Sequence, residues 1–503
     1  MLVPVYLTHW GAQVYGEWLT MYAVVGYLSS LDFGMYTAVV NRLTQQYALK
    51  DRAGYARTYA TGLRFYVLLA TVGLAVVGAG VALTRLSRWL GLRETPPWQA
   101  SIVMLLLAAQ LFWAMPVGFM ASVYRSAGDL STTVWIGNAQ RGATYGLVAA
   151  ALVLGANMTQ VAALQLAPLL VIGSIVYFAS RRRFGTWLGT GRDTDWSLLR
   201  LLVGPSLGFL AVVLSNALVQ QGSVLLISST LGGVTVALFA TSRTVINLVR
   251  QGVGLMNNAL WPDVTTLDAQ GLHQRLRRMH HLLVAVSSAA AIAAAAALWY
   301  IGDDIVRVWT SVRLEPDLRL MRALSLWVAL QAPWLASSLV PAASNRNTRL
   351  AWSYLASAVV GLVTAGLLLR SVGVVGIPLG LMVGEAIACY HFVVKDTCTQ
   401  IGEPYGTFAR RLWSRWVLVA MLTLAAGWLA SQVPAGFAPL RWATVGASTG
   451  AASGLVFWFA WLDAQDRRIL RSQVLRRLHR ARAIKEAKAF SPHGASHNCG
   501  LDP

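Results

Sequence analysis

Apolar windows of roughly 20 residues recur along the chain, each interrupted by short polar or basic stretches. VLLATVGLAVVGAGVALT (67–84) and AVSSAAAIAAAAALWYIG (285–302) are two of them. Each is long enough to cross a ~30 Å hydrocarbon core as a helix. The pattern predicts 14 segments at 1–9, 15–40, 62–84, 98–122, 133–154, 159–180, 201–229, 234–261, 282–302, 320–341, 350–370, 373–394, 416–432 and 442–462. The first is a stub, too short to span. The ten-residue alternation of a membrane barrel is absent. The expected fold is therefore all-α and polytopic.

Composition agrees: 56% of the residues are hydrophobic and 12% charged, against about a quarter charged in soluble chains. The net charge of +21 matters through its placement. Counting connections in order, the even-numbered ones (41–64, 123–132, 181–200, 263–281, 342–349, 395–415) and the tail from 463 carry 29 of the 41 Lys and Arg. Basic connections mark the cytoplasmic side, so the C-terminus is expected there. The basic tail 467–488 reads as an amphipathic helix on anionic lipid. The three cysteines have no metal-ligand spacing and imply no disulfide framework.

The chain also resembles itself. An offset of 221 lays 11–28 over 232–249, with Arg57 over Arg278, and an offset of 217 lays 114–135 over 331–352, with Pro116 over Pro333. Two six-helix lobes follow: 1–180 and 201–394, joined by a cytoplasmic linker at 181–200. Two extra helices lie within 395–462, and the basic tail is 463–503. An even segment count makes the lobes parallel repeats, which place a transport site between them.

Ionisable groups deep in a bilayer are costly and tend to face a cavity or a partner. The deep ones are Asp32, Arg141, Arg243, Arg250 and Glu385. Arg243, Asn247, Arg250 and Asn257 follow helical spacing on one face. The same face in the first lobe carries Tyr22, Ser29 and Tyr36, with Asp32 between the last two. Asn216, Gln220 and Ser223 form another polar face, as do Asn138, Arg141 and Tyr145. Single Asn and Gln residues are read as interhelical glue. The Arg243–Arg250 stripe is read as lining a wet cavity, because packing does not cheaply satisfy two arginines on one face. Glu385 is left between a structural and a cavity role.

VYGEW (14–18), LSSLDFG (28–34), Asn41-Arg42 and the basic loop after them resemble polysaccharide flippases, the Wzx-like branch of the multidrug/oligosaccharidyl-lipid/polysaccharide exporter superfamily. So do GPSLGFLAVVLSNALVQQGSVLLISSTLG (204–232), LFATSRTVINLV (238–249) and NNALWPDVTTL (257–267). The resemblance implies a bacterial inner-membrane protein with two lobes in a V and alternating access. The implied substrate is an undecaprenyl-diphosphate-linked oligosaccharide moved to the outer leaflet, with a polysaccharide polymerase or chain-length protein as possible partners. Three deep arginines against two acids suit a diphosphate. On that reading Arg243, Arg250, Arg141, Asn247, Asn257, Asn216 and Gln220 bind substrate, while Asp32 and Glu385 couple an ion or tune the cavity charge.

A cation-coupled multidrug antiporter and a lipid II flippase of the same superfamily are the alternatives. A membrane enzyme would need a sizeable catalytic loop, and the longest outer one, 302–320, is short. No phosphate-cradling glycine loop occurs. No cofactor, metal or nucleic-acid partner is expected.

Overall fold

The computed structural model describes residues 2–32, 35–83, 90–188, 194–344, 348–432, 438–462 and 467. Among these residues there is no strand, and the chain is almost wholly helical. Among the described residues, nine helical stretches are long and apolar enough to cross a membrane. The protein is an all-α polytopic membrane protein.

The chain opens with α1 (Val3–Leu28), broken at Gly11, whose φ of 75° and ψ of 173° leave the helical region. The break reverses the chain. Tyr6 stacks on Tyr15 with centroids 5.1 Å apart and lies 6.2 Å from Trp18, whereas twelve residues of continuous helix would separate Tyr6 from Trp18 by about 18 Å. Residues 3–10 are thus a separate helical segment packed on the start of the next one. Gly232 has almost the same backbone geometry, φ 85° and ψ 177°, between α9 (Ser223–Leu231) and α10 (Gly233–Ala269). Only glycine takes such angles without strain.

The 221 offset carries Gly11 onto Gly232, and residues 12–48 onto the whole of α10. Over 12–48, however, the first half is not one helix. It runs to Leu28, tightens into a 3₁₀ turn at Ser29–Asp32, and resumes as α2 (Met35–Ala48). This corrects the single span expected over 15–40. Phe33 and Gly34 of the LSSLDFG motif lie outside the described residues.

After α3 (Arg52–Leu83) come α4 (Pro97–Ser126), α5 (Leu130–Val153), α6 (Met158–Leu164) and α7 (Leu166–Leu188). Next is α8 (Ser197–Ala217), followed by a π turn at Leu218–Gly222, then α9 and α10. The remainder is α11 (His273–Trp309), α12 (Leu318–Ser337), α13 (Leu339–Ala343), α14 (Thr348–Val372), α15 (Gly376–Glu385), α16 (Phe392–Gln400), α17 (Tyr405–Ser431) and α18 (Ala438–Val456).

Helices overrun the apolar windows. The 41–64 connection is mostly α2 and the start of α3, leaving only a short turn at 49–51. Hydropathy reports where a helix meets lipid, not where it ends; polar but helix-compatible residues such as Gln45, Gln46 and Arg57 carry it on into water. The expected linker 181–200 is likewise helical through Leu188. The basic tail 463–503 falls outside the described residues except at 467.

One large apolar core joins α10, α11, α12, α14, α15 and α17 and includes the fully buried Trp327. Smaller cores lie among α1, α4 and α6, and among α2, α3 and α4. α1 packs along α10, and α2 along α8.

Candidate functional site

The arginine face of α10 meets two neighbours that turn it into a network. On α12, Trp327, Gln331 and Trp334 sit at i, i+4 and i+7, so all three point the same way. Their target is Glu385, the last residue of α15 before the π turn Ala386–Tyr390. The Trp327 and Trp334 indoles each donate to its carboxylate at 2.9 Å, and Gln331 Nε2 donates at 2.6 Å. Glu385 is buried, with 6% of its surface exposed. The Arg250 guanidinium lies 5.3 Å from the Trp327 ring centroid and feels the Glu385 charge. Trp327 therefore presents its π face to the cation and its N–H to the anion. Glu385 is the counter-charge of Arg250, held at one remove.

Arg243 is satisfied differently. Its Nη1 donates to the backbone oxygen of Gln220 at 2.8 Å, and its guanidinium sits 5.1 Å from the Phe239 ring centroid. The acceptor lies in the π turn Leu218–Gly222, where the widened backbone departs from the α-helical bonding pattern. No carboxylate contact of Arg243 is among the described interactions. Packing thus satisfies part of what the sequence suggests for a wet cavity. Further along the face, Asn257 Nδ2 donates to the Leu335 carbonyl at 2.9 Å, and its buried Oδ1 has no partner among the described residues. Asn247 is half-buried.

The other expected residues do not join this cluster. Asn216 is exposed and bonds the Val212 carbonyl of its own helix at 3.0 Å. Gln220 enters, among the described interactions, only through its backbone. Arg141 is exposed on α5, in the other half of the chain. Asp32 accepts the Tyr66 hydroxyl at 2.5 Å and the backbone N–H of Tyr36, so it caps α2 across the break. No described contact joins it to an arginine.

Glu17, on the VYGEW stretch, escapes sequence reasoning as a buried charge. It is 1% exposed. It accepts the backbone N–H groups of Arg93, Glu94 and Thr95 at 2.8–2.9 Å, the Thr95 hydroxyl at 2.6 Å and Gln13 Nε2 at 3.1 Å. A lone carboxylate in an apolar run was the available signal.

The loop it holds belongs to a seam between the two halves. Thr20 donates to Ser228 Oγ at 3.0 Å, and Ser228 donates to the Leu90 carbonyl at 2.8 Å. The Val234 N–H reaches Gln13 Oε1 at 3.1 Å. A Cβ on Gly16 would overlap the Gly233 backbone. Arg313 reaches the carbonyls of Leu7 and Thr8 at 3.5 and 3.3 Å. All of these lie at the end of the molecule opposite the basic connections.

No family model matches the chain, and no characterised protein matches it by sequence. Solved structures do match in fold. An inward-facing multidrug resistance MATE family transporter of the MOP superfamily aligns with a TM-score of 0.66 at 14% identity, over 80% of this chain and 93% of that one. The lipid II flippase MurJ, in an inward closed conformation, aligns at 0.61 and 9% identity, over 91% of this chain and 95% of that one. An outward-facing MATE transporter of the same superfamily aligns at 0.59 and 13% identity, over 80% and 91%. The chain has the fold that these transporters share.

Proposed function

We propose that the protein is an alternating-access flippase for a lipid-linked oligosaccharide carried on a polyprenyl diphosphate, moving it from the cytoplasmic leaflet to the outer one. The observation that carries this reading is the Arg243–Arg250 face of α10, with one counter-charge for two cations. Arg250 is matched by Glu385, while Arg243 rests on a carbonyl and a ring. An anionic diphosphate would complete that balance, since guanidinium groups bind such oxygens bidentately. The basic connections then lie in the cytoplasm, and the seam of Thr20, Ser228 and Gly233 closes the outer side. Residues 1–180 and 201–394 act as the two lobes, on the strength of the shared helix offsets and the paired glycine turns.

Coverage adds support. It rises from 80% of the chain against the MATE transporter to 91% against MurJ, a gain of about the size of α17 with α18. The higher TM-score of the MATE structure keeps a cation antiporter as the second reading. Against it, Asp32, Glu17 and Glu385 already accept hydrogen bonds from protein groups.

Proteoliposomes holding a fluorescent polyprenyl-diphosphate oligosaccharide test this directly. Arg243→Ala should cut translocation at least tenfold at equal reconstituted protein, and Arg250→Ala likewise. Full activity in both variants, or transport of an organic cation in place of the lipid-linked sugar, overturns the reading.

A further inference from the structure

We propose that Tyr22 and Tyr145, with Asn138 and Arg141, form a carbohydrate platform in the first half of the chain, where the sugar of the lipid-linked substrate stacks while the arginine face of α10 holds its diphosphate. The inference rests on the transport reading above and assigns residues to the sugar. Asn138, Arg141, Gly142 and Tyr145 follow helical spacing on one face of α5. Arg141 stands midway along that helix. Asn138 and Arg141 are both exposed, and neither side chain has a partner among the described interactions. Charged groups at mid-span face water in preference to hydrocarbon, so this face of α5 borders an aqueous space. Gly142 lies at its centre, where an added Cβ would meet nothing within 4 Å. Tyr145 is 52% exposed beside it.

The second ring comes from α1, which packs on α5 and along α10. Tyr22 and Tyr145 stand close enough to interact electrostatically. Tyr22 is 45% exposed and is backed by buried Trp18, with ring centroids 6.1 Å apart. The 221 offset lays Tyr22 on Arg243, and each follows its glycine turn, Gly11 or Gly232, by eleven residues. Both precede the point at which the halves diverge, so both lie about 16 Å in from their turns. One depth therefore meets rings from the first half and a cation from the second. Two ligand classes use exposed rings: organic cations and sugars. A cation is drawn to the ring face by charge, but the charge beside Tyr145 is the Arg141 guanidinium, and no carboxylate contacts this face among the described interactions. A sugar ring presents C–H groups to an aromatic face and hydroxyls to an amide and a guanidinium, which Tyr22, Tyr145, Asn138 and Arg141 supply together.

Equilibrium binding to the full chain in neutral detergent tests the platform with three probes: a polyprenyl diphosphate, the same lipid carrying a neutral oligosaccharide, and tetraphenylphosphonium as an organic cation. The wild type should bind the glycosylated lipid about tenfold more tightly than the bare one, in the range that an aromatic anchor contributes. Tyr145→Ala should erase that preference and leave affinity for the bare lipid unchanged. Tyr145→Phe, which keeps the ring, should retain the preference. Arg243→Ala should weaken both lipids alike. Equal binding of the two lipids by the wild type, or a preference that survives Tyr145→Ala, overturns the platform and leaves the transport reading standing. Binding of neither lipid by the wild type overturns both. Tetraphenylphosphonium binding that Tyr145→Ala abolishes also overturns the platform, since the rings then serve a cation.

Discussion

Replacing Glu385 by glutamine keeps the side chain's shape and removes its charge. The wild-type carboxylate takes three donors, from Trp327, Gln331 and Trp334, on its two oxygens. An amide offers one oxygen. If that oxygen stays toward Trp327 and Gln331, the Trp334 N–H faces an NH₂ group and goes unpaired. A buried donor left without a partner costs about 1–3 kcal/mol. Arg250 loses its counter-charge as well. With the Trp327 indole between the two charges and an effective dielectric near 20, that attraction is worth on the order of 2 kcal/mol. The expected destabilisation is about 3–5 kcal/mol, in the range found when one member of a buried pair is removed. Thermal unfolding in detergent should then fall by on the order of 5–10 °C. Arg250→Met alone should also destabilise, by leaving the Glu385 charge uncompensated. In the double variant the two losses should fall short of additivity by about 1–2 kcal/mol, because each single change has already removed the shared term. Additivity within about 0.5 kcal/mol, or a neutral Glu385→Gln, would refute the pairing through Trp327.

Glu17→Ala leaves the N–H groups of Arg93, Glu94 and Thr95 without their acceptor, and should destabilise by about 2–4 kcal/mol, with faster proteolysis or hydrogen exchange confined to the 90–97 loop. Gly16→Val drives a side chain into the Gly233 backbone, so crosslinking between cysteines placed at 20 and 228 should fall sharply while the protein still reaches the membrane. Asp32→Asn keeps an oxygen for the Tyr36 N–H but gives up the charge held by Tyr66; the α2 cap should weaken by about 1 kcal/mol, and unchanged transport would assign the residue to packing alone. Asp129 has its pKa pushed from 3.8 down to about 2, first by the backbone N–H of Thr132 and then by hydrogen bonds from Thr132, Ser131 and Arg183. Because the folded value is depressed, its stabilising contribution is complete above about pH 4 and lost as the pH falls toward 2. Asp129→Asn should remove that dependence from acid melting curves.

The two halves of the chain differ most where the sequence makes them look most alike. Hydropathy exposes the spans because lipid contact demands apolar side chains over a fixed thickness. The offset of 221 is faint in residue identity, yet it carries Gly11 onto Gly232 and residues 12–48 onto Gly233–Ala269. Backbone angles that only glycine tolerates preserve a turn when side chains diverge. What the offset hides is the break after Leu28. The polar faces of Tyr22, Ser29 and Tyr36 and of Arg243, Arg250 and Asn257 are equivalent only if both helices are continuous, and the first is not. Asp32 belongs to the break: its carboxylate takes up the free N–H of the helix that restarts, with Tyr66 as second donor.

The position of Asp32 in the second half is Val253, fully packed in an unbroken α10. There the polar work passes to Arg250, one turn back, and its counter-charge arrives from α15 more than a hundred residues later. A spacing rule finds Arg243, Asn247, Arg250 and Asn257 because one helix orders them. It cannot find Glu385, Trp327 or Gln220 as their partners, because tertiary packing alone brings α12, α15 and the π turn to that face. The resulting asymmetry has a consequence for motion. A helix capped at a break can hinge there, whereas α10 is pinned along its length by Gln220, Trp327 and Leu335. On the proposed alternating-access reading, the first half should bend and the second should carry its cationic face as a rigid unit.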